Sequence, residues 1–184
     1  RISISLESLA ASHPDLADEV APIVNLAHDS SRRLRPMITE LNFDAPDPSL
    51  MAAVKESRLM LQSGKLELGA HMPDDIDGRL SRQAILMGSL FVREAATNAM
   101  KYARRGTTVD LFAEIVDGEL SLTMANEIGN KPSDDALAGG YGLMNLKSRI
   151  ESKRGRLSFI SRSGRWIINA AIPNPKIQEE EGLR

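Results

Sequence analysis

The chain has 184 residues, of which 42% are hydrophobic and 26% charged, a balance that excludes disorder over most of its length and suits one globular domain with a helical appendage. A formal net charge of -2 gives no ground for nucleic acid or an anionic membrane as partner. With no cysteine, and with histidines only at the scattered positions His13, His28 and His71, disulfides, thiolate metal sites and zinc motifs are excluded, so a metal would need oxygen ligands. No apolar run approaches the length of a membrane span and no signal-peptide pattern opens the chain. Because RISISLESLA begins in apolar periodicity without an initiator Met, the chain reads as an excised fragment of a parent that could be membrane-anchored; the fragment itself is expected to be cytoplasmic and without membrane contact.

In chain order, Ile2, Ile4, Leu6 and Leu9 fit a helix or, over a shorter window, an alternating strand, with Leu6 and Leu9 favouring the helix; Ser12–Asp15 is a break, and Leu16 to Leu41 continue at near-helical spacing. Two antiparallel helices over 1–43 follow from this pattern. A pair so short cannot bury its apolar stripe alone, so a homodimer through these N-terminal helices, closing a four-helix bundle, is expected. The Asp-Pro cluster at 44–49 is the linker.

The second domain, 50–173, predicts a helix over Leu50–Gln62, a strand over Lys65–His71 and a long helix within Leu80–Ala103. Strands at Thr108–Val116 and Leu120–Ala125 flank Asp117-Gly118, a two-residue hairpin signal. After a polar stretch, a helix is expected over Leu143–Ser152 and a second hairpin over Leu157–Ser161 and Trp166–Ile172 around Ser163-Gly164. Residues 174–184, acid-rich and polar, read as a disordered tail. Strands mixed with long helices point to an α+β sandwich, a mixed sheet with helices on one face.

Two segments carry chemistry. In Phe91–Ala103, residues four apart share a helix face, so Glu94, Asn98 and Tyr102 line up. Asn98 can give Mg²⁺ a hard oxygen ligand, Glu94 can orient or deprotonate a nearby group, and Lys101 can reach a phosphate. By periodicity alone, the same residues read first as a solvated polar stripe on an amphipathic helix. In Gly139-Gly140-Tyr141-Gly142-Leu143, glycines stand directly before a helix, where amides can cradle a phosphate; taken alone, the segment is also an ordinary loop entering a helix.

In this order, with a hairpin between them, the two segments resemble the GHKL ATPase superfamily and within it the sensor histidine kinases: REAATNAMKYA resembles the N box, and GGYGLMNLKSRI, with Arg149 downstream, the second glycine box. The helix pair resembles the dimerisation region of the class related to nitrate and membrane-fluidity sensor kinases. The resemblance implies an ATP site with Asn98 on Mg²⁺ and Glu94 as base or orienter of the phosphoryl acceptor. Lys101 and Tyr102 would stand near the phosphates, Gly140, Gly142 and Leu143 at the glycine box, and Glu127–Ala138 would form the lid. It further implies phosphoryl transfer to a histidine and then to the aspartate of a response-regulator receiver protein.

Two features depart from the pattern. Asn126 stands where the superfamily offers an aspartate to adenine, and Ile128 stands where a glycine is expected, with Gly129 beside it. These open a second reading, a catalytically weakened dimeric regulatory module with a degenerate nucleotide site. A serine kinase of the anti-sigma type would fit both boxes but not the helix pair. The acceptor histidine is expected upstream of Arg1: His28-Asp29 imitates the acceptor pair but falls in the second helix and reads as a surface histidine. His13 is a loop residue and His71 a half-buried structural one.

Overall fold

The computed structural model describes residues 48–129 and 140–175. The expected helix pair, most of the linker, His13, His28 and the expected lid from residue 130 to 138 lie outside these residues, as does the tail beyond 175.

Helix α1 (Leu50–Ser63) begins at Ser49, whose hydroxyl accepts the Ala52 amide at 2.9 Å. A second cap comes from far along the chain: Asp77, in the short helix α2 (Ile76–Arg79), accepts from Ser49 Oγ at 2.6 Å and from the Leu50 amide at 2.8 Å. A carboxylate there satisfies orphan donors and lies at the positive end of the helix dipole. Leu50, Ala53, Val54 and Leu61 form the buried stripe of α1, which packs on α3 (Arg82–Tyr102).

Strand β1 (Glu67–His71) starts later than Lys65, because Lys65 adopts φ 58° to turn the chain out of α1. Strands β2 (Thr108–Val116) and β3 (Glu119–Glu127) meet at Asp117-Gly118, with φ of 50° and 74°, the left-handed pair that a tight hairpin requires. Helix α4 (Gly140–Ser152) follows, and then β4 (Arg156–Arg162) and β5 (Arg165–Pro173), joined through Ser163-Gly164. The sheet has 5 strands in the order β1-β2-β3-β5-β4. The β1–β2 pair is parallel and the others are antiparallel, so the expected mixed sheet is present. Parallel neighbours need a long crossover, and α2 with α3 provides it.

Alternation assigns Val109, Leu111 and Ala113, Leu120, Leu122 and Met124, and Ile168, Ala170 and Ile172 to one buried face. Helix α3 lies directly on it: a Cβ at Gly88 would come within 2.9 Å of Leu120 and 3.3 Å of Leu50. On the opposite face, His71 stacks on Phe112 with ring centroids 4.7 Å apart. His71 is exposed, and not half-buried as expected, because its strand turns that side chain toward solvent beside a Phe112 that is itself 48% exposed.

Asn174, expected to open the tail, is 1% exposed and belongs to the packed domain. Its Oδ1 accepts the Ser81 amide at 2.6 Å, Nδ2 donates to the Arg79 carbonyl at 3.0 Å, and its own amide donates to the Gly118 carbonyl at 2.8 Å. It thereby ties the end of β5 to the β2–β3 turn, the end of α2 and the start of α3. Replacing it by Ala leaves a part-buried donor, the Ser81 amide, and a part-buried acceptor, the Arg79 carbonyl, without this partner. Asn174→Ala is therefore expected to lower the unfolding free energy by about 2 kcal/mol or more, read from the urea midpoint.

Candidate functional site

Helix α3 is capped by Ser81, which accepts the Ala84 amide at 3.2 Å. Along its length Phe91, Val92, Ala95, Ala96 and Ala99 are buried, and the small alanines let the helix lie close on the sheet. Glu94, Asn98 and Tyr102 consequently share a flank on which each is half-buried. Asn98 Nδ2 donates to the Glu94 carbonyl at 2.9 Å and to Glu94 Oε1 at 3.3 Å. With the donor end of the amide turned to Glu94, what Asn98 offers outward is Oδ1, a hard oxygen.

The second segment meets the first here. A methyl group at Gly142 would overlap Glu94 Oε1 and lie 2.6 Å from Glu94 Cδ. Gly142 and Gly140 sit inside the first turn of α4, whereas the sequence placed them in a loop before a helix starting at Leu143. The reason is close approach: the carboxylate occupies the volume any side chain at 142 would take, and Gly142 is absent from the positive-φ glycines of the described chain. Leu143 is 1% exposed, so its side chain belongs to the core and what it can offer a ligand is its backbone. Because helix N-terminal amides lack intrahelical partners, this turn is suited to anions.

Past Asn98, Lys101 is exposed, and the end of α3 is strapped to the end of β3. The Tyr102 carbonyl accepts the Gly129 amide at 2.9 Å, the Arg104 amide donates to Glu127 at 2.9 Å, and Ala103 bridges Ile128. The Ile128 amide donates to Gly164 at 2.8 Å, which brings in the turn between β4 and β5. Glu127, read as the first lid residue, is thus the last residue of β3, and Ile128 is paired rather than free. Gly129 supplies the tolerance this strap needs, since a Cβ there would stand 2.8 Å from Arg104 Cα. Asn126, 3% exposed on the core face, donates from Nδ2 to the Glu127 carbonyl at 3.0 Å.

Glu56 was not singled out by the sequence. It pairs with Arg93 at 2.9 Å between α1 and α3, beside Glu94, and Thr97 Oγ1 donates to the Arg93 carbonyl at 2.8 Å. Both charged side chains are largely solvent-exposed, so the pair contributes little to stability, and helix periodicity holds no sign of such an inter-helix contact. Among the described residues no group of three or more His, Cys, Asp or Glu could hold a metal, and no helix is long and apolar enough to cross a membrane. A cation on this flank would bind through Asn98 Oδ1 and complete its shell from a ligand and water.

The mixed sheet with helices on one face is a fold that solved histidine kinase domains share. Solved structures with this fold include the Acinetobacter baumannii histidine kinase AdeS, 15% identical with a TM-score of 0.56, the match covering 92% of this chain and 95% of that one. The histidine kinase domain of the Erythrobacter litoralis EL346 blue-light activated histidine kinase is 18% identical at a TM-score of 0.58, covering 88% of each chain. The catalytic domain of histidine kinase ThkA is 12% identical at a TM-score of 0.55, covering 68% and 92%. No protein-family model and no curated protein matches the sequence.

The contact between Gly142 and Glu94 can be measured as a coupling. Because the atoms a Cβ at 142 would meet are the far end of the Glu94 side chain, which can move aside, Gly142→Ala is expected to change stability by less than about 1 kcal/mol, and in a Glu94→Ala background, where nothing is displaced, to stabilise the domain by about 0.4–1 kcal/mol. Additive effects in the double variant would show that the two positions do not touch.

Proposed function

We propose that this chain is the dimerisation region and ATP-binding core of a two-component sensor histidine kinase, of the class related to nitrate and membrane-fluidity sensor kinases. The observation that carries the reading is the junction of Glu94 and Asn98 with the first turn of α4 at Gly142. The residues fit ATP and Mg²⁺: an amide oxygen for the metal, a carboxylate beside it, and a glycine cradle that a Cβ would fill.

Bound Mg²⁺-ATP supplies the γ-phosphoryl group and the neutralisation of its charge. The chain supplies the rest. Asn98 Oδ1 would be the protein ligand to the metal, its amide held by Glu94. Glu94 takes or orients the proton of an attacking imidazole, and its own position is set by Asn98 and by the backbone at Gly142. Lys101 and Tyr102 flank the phosphates, and the first turn of α4, from Gly140 through Gly142 to Leu143, offers them its amides. Asn126 faces the base. The phosphoryl group goes to a histidine on or upstream of the dimerisation helices, and from there to an aspartate of a response-regulator receiver protein.

A second reading, a dimeric regulatory module with a weakened site, is favoured by Asn126 and Ile128. A magnesium-dependent ATP titration separates the two. Under the kinase reading the parent chain binds and Asn98→Ala binds at least about tenfold more weakly; equal and negligible binding in both supports the weakened module. The dimer is tested by sedimentation: the full chain is expected to be dimeric, and a chain beginning at Pro48 monomeric.

A further inference from the structure

Charge is spread unevenly over the domain. At the end where α3 is strapped to β3, Lys65, Lys101, Arg104 and Arg105 gather with Arg162 and Arg165 of the β4–β5 hairpin. Backbone and side-chain bonds bring them there. The Lys65 carbonyl accepts the Gly106 amide at 2.8 Å, Arg105 Nη1 donates to the Gly64 carbonyl at 2.7 Å, and the Ile128 amide donates to the Gly164 carbonyl at 2.8 Å, which sets the hairpin tip at the same end. Of the acids at this end, Glu127 is paired with Arg104 at 3.6 Å and Asp110 with Arg165 at 2.9 Å, which leaves Glu67. Lys65, Lys101 and Arg162 are exposed and, among the described residues, have no carboxylate partner. Counting in Lys131, Asp134 and Asp135 of the stretch 130–138 leaves the excess positive. The whole chain nevertheless carries a formal charge of -2, because acids such as Asp75, Asp77, Asp117 and Glu119 stand at α2 and the β2–β3 turn.

We propose that this end of the domain steers the anionic magnesium complex of a nucleoside triphosphate into the site, with Lys65 and Arg162 acting on it at a distance. The inference rests on the kinase reading, in which Lys101, one turn beyond Asn98 on α3, stands near the phosphates. Steering needs no contact: unlike charges attract across a Debye length, about 10 Å at 0.1 M salt. A cluster of one sign raises the local concentration of a ligand of the other sign, and the gain falls on the association rate. Removing such a rim charge accordingly slows capture and leaves release alone. The sign of the salt effect separates a local field from the bulk charge. A triphosphate approaching a chain of charge -2 as a whole is repelled, and added salt speeds its binding. Approaching the positive end it is attracted, and added salt slows it.

The test is stopped-flow binding of N-methylanthraniloyl-ATP with saturating Mg²⁺ to the full chain, from about 0.02 to about 0.5 M salt. The association rate constant is expected to fall by about fivefold or more across that range. Lys65→Gln and Arg162→Gln should each lower it about two- to threefold at low salt, with the dissociation rate unchanged and the difference gone at high salt. Lys153 is the control: it is exposed beyond the Arg156 end of β4, opposite Arg162, so Lys153→Gln removes one cation from the wrong end. Its association rate should stay within about 1.5-fold of the parent. An association rate that is flat or rises with salt overturns the proposal. So do Lys65 and Arg162 variants that act through dissociation or not at all, and a Lys153→Gln variant that slows capture as much as they do. Failure of the kinase reading looks different: no nucleotide binds, or Asn98→Ala binds as the parent does, and either result removes the proposal with it.

Discussion

The Glu94 carboxylate lies so close to the first turn of α4 that a methyl group at position 142 would meet it, and the place of that carboxylate depends on the glycine. A side chain at 142 would push the carboxylate away from Asn98, and with it the amide orientation that exposes Oδ1. The contact therefore ties the identity of residue 142 to where the Glu94 carboxylate stands. The rest of the fold sets the position of α3: Gly88 lets the helix approach Leu120 and Leu122, Ser81 caps it, and Asn174 holds the cap residue's own amide.

At its other end, α3 is held by backbone. The bonds from Gly129 to Tyr102, from Arg104 to Glu127 and from Ile128 to Gly164 join the helix to β3 and to the tip of the β4–β5 hairpin. A site whose residues come from a helix, a strand end and a second helix needs such fastening, because side chains alone cannot hold elements in register at the sub-ångström level. None of these bonds depends on side-chain identity except at Gly129, where backbone meets backbone.

Where an element's cause is local, the sequence was legible. The flank of Glu94, Asn98 and Tyr102 followed from helical period, and both hairpins from Asp117-Gly118 and Ser163-Gly164, whose left-handed φ values are properties of the turn itself. What escaped has distant causes. Glycines at 140 and 142 read as loop because glycine is a poor helix former; only a carboxylate on another helix explains why one stands inside α4. Asn174 lies 93 residues from the Ser81 amide it accepts, beyond any local window. His71 is exposed because its strand turns that side chain toward solvent, and its stack on Phe112 rests on a β1–β2 pairing that strand periodicity does not reveal. The tandem of two segments was legible only as a resemblance, and their meeting at one carboxylate required the fold.

The knot of Ser49, Asp77, Arg79, Ser81 and Asn174 gathers the beginnings of α1 and α3 into one hydrogen-bonded corner. Because α2 carries both Asp77 and Arg79, the starts of α1 and α3 are anchored to the same four-residue helix, and a substitution that loosens α2 would fray both.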